Sequence, residues 1–179
     1  MKKLIYSVFL LFSMNALNAQ AILTPTDEGS KVHFIIKNFG IKTGGDMTGL
    51  KGTIKFDPKN ILIWVFDVTL DASTIDTDNG SRDGHLRKAE YFDVAKYPII
   101  NMVSTKIQAT DKPGIYLLNA NLTIKGITKP VSFTFKVNNI NKGYLFTGEF
   151  PMNRRDFNVG GSSISLADNL KVALSIFAK

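Results

Sequence analysis

The sequence has no cysteine and only two histidines, His33 and His85, among its 179 residues. Without cysteine the chain cannot form a disulfide, attack a substrate with a thiolate or bind a metal through thiolates. Two histidines are also too few for a three-histidine zinc site. We therefore expect neither a metal nor a cofactor.

The chain also lacks long apolar runs and dense charge clusters beyond its first 21 residues. No later run approaches the length that crosses a bilayer. The net charge of +7 falls by two once Lys2 and Lys3 are removed, and the remaining lysines are spread out. These features argue against integral membrane insertion and against nucleic acid as a partner, and they leave only transient membrane contact open.

The N-terminal residues have the order of features of an export signal. Two lysines open the chain, residues 4–12 are apolar, and small residues follow, including Ala19 and Ala21. A buried N-terminal helix or a retained anchor is the alternative. We predict a signal peptide over 1–19, with cleavage after Ala21 as a second possibility, and a domain over 22–179 in the periplasm or the medium.

The remaining chain alternates apolar and polar residues in short runs between turn residues, which is typical of antiparallel strands. One long strand is predicted from residue 61 to 71, and its inward positions are Leu62, Trp64, Phe66, Val68 and Leu70. We count about eight such strands. Eight tilted strands can close into a barrel that holds one small ligand, and closure removes exposed strand edges.

The strand pattern breaks between residues 76 and 97. Gly80, Asp83 and Gly84 indicate a loop, and residues 82–92 allow one or two short helical turns. Tyr97 is followed by proline, which favours extended backbone and ends this segment. The sequence therefore predicts a single short helical element within an otherwise all-β chain.

Three motifs, in this order, identify a family resemblance. They are Arg82–Arg87 with 90–94 and 97–98 after it, Leu122–Val131, and Asn153–Phe157 with 166–170 after it. The chain resembles the YceI-like family of lipocalin-like, polyisoprenoid-binding exported proteins over essentially its whole mature length. It departs from that pattern at Lys125, where histidine is common, and at Asn158, where glycine is common.

The resemblance implies an all-β fold: an eight-stranded antiparallel lipocalin-like barrel with a short helical segment and an elongated apolar tunnel. It further implies a bound long-chain isoprenoid, such as a quinone or a polyprenyl phosphate, or another lipid. It implies a possible homodimer, and a binding protein rather than an enzyme. The alternatives are a lipid-acting hydrolase or isomerase, and an interaction or stress-response protein with a filled barrel.

Strand parity and the resemblance together predict the apolar wall of the tunnel. Its proposed residues are Phe34, Ile36, Trp64, Phe66, Met102, Leu118, Leu122, Phe133, Phe135 and Phe146. The alternative is that these side chains fill a dry core, because periodicity does not distinguish a packed barrel from a hollow one. If the tunnel is hollow, we expect the fluorescence of Trp64 to report its occupancy.

Four polar residues in the family motifs lie outside the apolar alternation and are candidates for the ligand's polar end: His85, Arg87, Asn153 and Arg154. Arginine can bind a phosphate with two hydrogen bonds, and histidine or asparagine can bind a carbonyl. The structural alternative is that Arg87 or Arg154 pairs with an acid, namely Asp83, Asp93 or Asp156, and holds a loop on the barrel.

The same segment offers a weak catalytic reading. His85 as a base, oriented by Asp83 or Asp93, would activate Ser81 as a nucleophile. No G-x-S-x-G motif occurs in the sequence. Polar groups near a helix start usually satisfy backbone donors instead. We therefore favour a capping role for this segment and predict no catalytic residue.

Overall fold

The computed structural model describes residues 21–140 and 142–179, so the predicted signal peptide lies outside the described residues. Ten strands form one antiparallel sheet. They are β1 (Ala21–Leu23), β2 (Pro25–Asn38), β3 (Ile41–Met47), β4 (Lys51–Phe56), β5 (Val65–Asp71), β6 (Ile99–Ala109), β7 (Ile115–Ile124), β8 (Ile127–Ile140), β9 (Gly143–Asn153) and β10 (Leu166–Ala178). The described residues also contain one α-helix, α1 (Gly80–Leu86), and three short 3₁₀ turns. The predicted all-β fold with a short helical segment is confirmed.

The sheet curls and closes through its N-terminal segment. Strands β4 to β10 follow one another in sequence order. β1 pairs with β4, whereas β2 pairs with β10 on one side and with β3 on the other. Because only Thr24 separates β1 from β2, a single run of chain pairs with both ends of the β4–β10 series. The sheet therefore forms a barrel.

The number of strands is ten rather than the predicted eight because two long strands are interrupted. The run 21–38 breaks at Thr24, and the run 41–56 breaks between β3 and β4. The carboxylate of Asp27 accepts hydrogen bonds from the backbone N–H groups of Gly49 and Leu50, both at 3.0 Å. This carboxylate supplies the acceptors that the interrupted ladder lacks. We call this place, residues 24–31 and 48–50, the seam.

The predicted long strand over 61–71 is wrong in its first part. Ile61–Ile63 forms a 3₁₀ turn, and the strand begins only at Val65. The side chain of Asn60 accepts a hydrogen bond from the N–H of Leu62 at 3.2 Å, which stabilises the turn. Leu62 is consequently 90 % exposed instead of facing inward.

An aromatic cluster fills one end of the barrel, where β4, β7 and β9 begin or end. The ring of Phe56 lies 4.5 Å from both Trp64 and Tyr144, and Trp64 lies 4.6 Å from Tyr116. The indole N–H of Trp64 donates to the carbonyl of Asp57 at 2.6 Å. These four rings, which we call the aromatic plug, close this end with buried apolar surface and a satisfied indole donor.

The opposite end carries α1 and the connection between β9 and β10. The side chain of Asn79 accepts from the backbone N–H of Arg82 at 3.0 Å and caps α1. Asp46 of β3 forms an isolated bridge with Asp76, which holds the segment before the helix against the barrel. We call this end the mouth.

Candidate ligand cavity

The barrel encloses a cavity of about 720 Å³, within the usual range of small-molecule sites. Nine of the ten residues proposed for the apolar wall line it. They are Phe34, Ile36, Phe66, Met102, Leu118, Leu122, Phe133, Phe135 and Phe146. The interior of the barrel is therefore hollow along much of its length, and contact of these side chains with a ligand stays a prediction.

Trp64 is the exception, because it is not among the residues that line the cavity. It is buried in the aromatic plug, and its ring stacks on Phe66 with centroids 6.5 Å apart and planes at 17°. Phe66, not Trp64, presents its ring to the cavity. The difference arises because the 3₁₀ turn at 61–63 places Trp64 before the start of β5.

Several wall residues were not among the predicted ones. Phe150 stacks on Phe133 with centroids 4.7 Å apart and planes at 18°, and both rings line the cavity. Strand parity could have identified Phe150, because it lies four residues after Phe146 on the same face of β9. The alternating residues of β10 that line the cavity are Leu170, Val172, Leu174 and Ile176.

Polar side chains among the lining residues concentrate at the mouth. They come from the end of β2, from α1 and the residues before it, and from the loop that precedes β10: Asn38, Thr77, Asn79, Ser81, Arg82, His85, Ser163 and Ser165. The cavity is thus apolar along the barrel and polar where it meets the helix. Such an arrangement suits a ligand with a long apolar part and one polar end.

Among the four candidates for the polar end, only His85 meets the cavity without being held by backbone groups. Its side chain is 51 % exposed, and its Nε2 lies 3.6 Å from Oε2 of Glu90. Its ring makes an edge contact with Tyr91, with centroids 5.2 Å apart. His85 therefore remains available to a ligand at the mouth.

Arg154 lines the cavity, but its guanidinium is committed to the protein. Nε donates to the carbonyl of Ala167 at 2.9 Å, and Nη1 donates to those of Val159 and Gly161 at 2.9 and 3.0 Å. Nη2 donates to the carbonyl of Leu166 and to the carboxylate of Asp168. These five bonds use all five N–H donors of an arginine, which favours a structural role, and the proposed phosphate contact stays a prediction.

Arg87 and Asn153 also have structural positions away from the cavity lining. Arg87 donates through Nε to the carbonyl of Ser73 and through Nη2 to that of Ile75, both at 2.7 Å. The side chain of Asn153 accepts from the N–H of Arg155 at 2.9 Å and caps the 3₁₀ turn over 154–157. These contacts favour structural roles for both residues, and their contact with a ligand stays a prediction.

The structural alternative correctly predicted that these arginines hold loops on the barrel, but the partners it named for them were wrong. The acid that pairs with Arg154 is Asp168, at 2.7 Å, rather than Asp83, Asp93 or Asp156. Arg87 is held by backbone carbonyls instead of a carboxylate. Both arginines bind loop backbone onto the barrel, as the alternative expected.

A buried polar latch holds the start of α1 through Arg82 and Asp83, in agreement with the capping role expected for this segment, although their partner Thr77 was not predicted. The carboxylate of Asp83 accepts from the N–H of Thr77 at 3.0 Å and from its hydroxyl at 2.5 Å. Arg82 donates to the hydroxyl and the carbonyl of Thr77 at 2.7 and 2.6 Å. Thr77 and Asp83 are both buried, so these bonds fix the helix against the mouth.

The latch also engages Asp83, one of the two carboxylates that the catalytic interpretation proposed to orient His85. Asp83 is bonded to Thr77, and the acid beside His85 is Glu90 at the protein surface. Over residues 21–140 and 142–179, no three histidine or acidic side chains converge as metal ligands would. No helix in that part of the chain is long and apolar enough to cross a bilayer.

The comparisons with known proteins agree with this architecture. The YceI-like domain matches residues 24–178. A UPF0312 protein of Pectobacterium atrosepticum is 30 % identical over 154 residues, covering 81 % of this chain and 78 % of that protein. Protein YceI of Salmonella arizonae is 34 % identical over 131 residues, covering 72 % of this chain and 67 % of that protein.

Solved structures show the same fold. BcnA of Burkholderia cenocepacia superposes with a TM-score of 0.78 at 25 % identity, over 84 % of this chain and 96 % of BcnA. A polyisoprenoid binding domain from Saccharophagus degradans gives a TM-score of 0.70 at 14 % identity, over 90 % of this chain and 99 % of that domain. With the family match over nearly the whole barrel, these findings show that the chain belongs to the YceI-like family.

Proposed function

We propose that this protein binds a long-chain apolar ligand, an isoprenoid or another lipid, with the tail inside the barrel and the polar end at the mouth. The observation that carries the proposal is the asymmetric cavity of about 720 Å³, closed by aromatic rings at one end and lined by polar side chains at the other. The similar domain from Saccharophagus degradans, which is described as polyisoprenoid binding, supports this choice of ligand class.

The energetics favour a long tail over a short one. Each buried CH₂ contributes about 0.8 kcal/mol, so ten such groups contribute roughly 8 kcal/mol. Association itself costs about 4 to 15 kcal/mol in lost freedom of motion. A tail of ten carbons therefore only offsets that cost, and tight binding requires a chain that occupies more of the cavity.

The polar end would be held by side chains that are not fully used by the protein. The only ion pair of His85 among the described residues is the exposed one with Glu90. The side-chain oxygen of Asn38 is buried and has no hydrogen-bond partner among the described residues. A buried polar atom without a partner loses its hydration, so a donor on the ligand would restore a hydrogen bond there.

We place the protein among carriers rather than enzymes because the carboxylate of Asp83, which could orient His85 as a base, is engaged elsewhere. Asp83 is held by Thr77 within the latch. His85 stands at an open mouth with half of its side chain exposed, where solvent screens the charges that a catalytic base depends on. Incubation with lipid esters is expected to return them unchanged.

The test combines extraction of the purified protein with a blocked cavity. Mass spectrometry of an organic extract is expected to detect an isoprenoid or another long-chain lipid. Leu122 lines the cavity on β7, and Asn121 is exposed beside it. Leu122→Trp should remove the lipid from the extract, whereas Asn121→Trp should retain it. Equal lipid content in both variants, with both folded, would contradict binding inside the barrel.

We also propose that the protein acts outside the cytoplasm, on the strength of the N-terminal signal pattern. Native material should begin near Gln20 or Ile22 and appear in a periplasmic or secreted fraction. Intact-mass measurement tests this directly. A mass that includes Met1 in native protein would rule out processing.

A further inference from the structure

Three large apolar side chains project into solvent beside the mouth. Phe39 is 79 % exposed, Ile41 is 72 % exposed and Ile164 is fully exposed. Phe39 and Ile41 belong to the β2–β3 hairpin, and Ile164 to the loop before β10. The N–H of Phe39 donates to the carbonyl of Ser165 at 2.8 Å, which joins the two loops. The three side chains therefore form one apolar tip, next to the cavity residues Asn38 and Ser165.

The backbone at Phe39 indicates that this side chain is not there for folding. Phe39 and Gly40 form a two-residue turn with φ of 48° and 76°. A turn with positive φ at both central residues strongly favours asparagine, aspartate or glycine at the first position. A bulky aromatic residue is strained in that conformation and gains nothing from burial here.

Every charged side chain within the two segments that carry the apolar tip is positive, and the next acid along the chain, Asp168, is paired with Arg154. Lys37 and Lys42 face each other across the β2–β3 ladder, and both are exposed. The segments 37–42 and 158–166 contain no acidic residue. The tip thus combines apolar side chains that project from narrow loops with a pair of lysines directly behind them.

We propose that this surface, Phe39, Ile41 and Ile164 with Lys37 and Lys42, docks on the anionic face of a lipid bilayer. Apolar side chains that enter the boundary between headgroups and acyl chains, with cations at the headgroup level, are the two features of interfacial binding. Two narrow loop tips suit insertion between lipids better than contact with a flat protein surface. Docking would hold the cavity mouth against the bilayer, and it stands independently of which ligand the cavity binds.

The test uses sedimentation of the purified protein with vesicles of phosphatidylcholine alone and of phosphatidylcholine mixed with phosphatidylglycerol. We expect binding to the mixed vesicles only. Phe39→Asn should lower the partition coefficient about tenfold, because the variant loses an aromatic side chain that the bilayer would bury. Its melting temperature should stay equal or rise, because asparagine suits the turn. Lys37→Gln and Lys42→Gln should each lower binding about fivefold on anionic vesicles.

Leu62 provides a matched control, since it is 90 % exposed but lies next to the aromatic plug at the opposite end. Leu62→Asn should leave vesicle binding unchanged. Equal binding by Phe39→Asn and the wild type would overturn the proposal. A second outcome would also overturn it: the wild type binds neither kind of vesicle but forms a dimer, and Phe39→Asn dissociates that dimer in light scattering. The apolar tip would then be a contact between two copies of the chain.

Discussion

Arg154 and Asp168 form an ion pair at 2.7 Å in which a buried guanidinium meets a half-exposed carboxylate. The remaining hydrogen bonds of that guanidinium all end on backbone carbonyls between residues 159 and 167. Arg154 therefore anchors the loop that carries Ile164, and the conformation of this part of the mouth depends on that one side chain.

Replacing that side chain should destabilise the protein without changing its choice of ligand. Arg154→Gln leaves several buried carbonyls without donors, and we expect the free energy of unfolding to fall by about 3 kcal/mol. Binding of a phosphorylated isoprenoid and of its neutral alcohol should weaken alike. Arg155→Gln is the control, because Arg155 is exposed and lies 3.9 Å from the same Asp168; its effect should be small. A selective loss for the phosphorylated ligand would restore a head-group role to Arg154.

Trp64 should report unfolding rather than occupancy. It is the only tryptophan of the chain, and its indole is fixed in the aromatic plug by the bond to Asp57. We expect little change in its emission maximum on delipidation. In a Trp64→Phe background, Phe133→Trp places the fluorophore on the cavity wall and should respond to delipidation. A large shift from native Trp64, with Phe133→Trp silent, would reverse this assignment.

Variants of His85 and Arg87 should distinguish a residue that contacts the ligand from one that supports the loop at the mouth. His85→Ala is expected to leave the melting temperature unchanged and to weaken ligands with a polar end more than pure hydrocarbons. Arg87→Gln removes two hydrogen bonds to backbone carbonyls, at a cost of about 1 to 3 kcal/mol. Thermal melts and ligand titrations on both variants test this. A thermal loss in His85→Ala equal to that in Arg87→Gln would assign both residues to the support of the loop.

Asp71 should contribute to acid sensitivity. Hydrogen bonds from the hydroxyl and the N–H of Ser73 lower the pKa of Asp71 below its usual 3.8, and Lys51 adds to the effect. A carboxylate with a lowered folded-state pKa stabilises the fold above its unfolded pKa and loses this effect as the pH falls through the folded value. Asp71→Asn can keep the bond from the N–H of Ser73 but does not titrate. Denaturation between about pH 5 and pH 2 should show a smaller acid loss in the variant than in the wild type, and parallel curves would contradict this.

Much of the barrel could be predicted because half-buried strands impose a period of two on the sequence. The all-β pattern is confirmed, and the break predicted between residues 76 and 97 contains α1. The prediction failed at Ile61–Ile63, where a continuous apolar run is capped locally by Asn60 and forms a 3₁₀ turn. Alternation reports only which faces are apolar, and a side-chain cap can redirect the backbone over three residues.

The wall of the cavity was easier to predict than its mouth. Wall residues follow strand parity, so nine of the ten proposed residues line the cavity. The mouth depends on contacts between distant segments, such as Arg154 with residues 159–168 and Arg87 with Ser73 and Ile75. A motif shows that an arginine is present, but only the folded loop shows whether its donors remain available.

The seam at Asp27 gives the barrel two separately adjustable halves. Leu23 lies opposite Ile54 in the β1–β4 ladder, and Val32 lies opposite Met47 in the β2–β3 ladder. The stretch from Leu23 to Val32 is two residues longer than the stretch from Met47 to Ile54, so the two ladders are offset by two residues. The carboxylate of Asp27 bridges this offset. An insertion of two residues in each strand of the hairpin between residues 32 and 47 would lengthen the rim while the pairing of Ala21 with Phe56 stays fixed. Because residues 32–38 also pair with β10, residues added at the turn beyond Asn38 and Ile41 would extend the mouth without shifting that ladder or the aromatic plug.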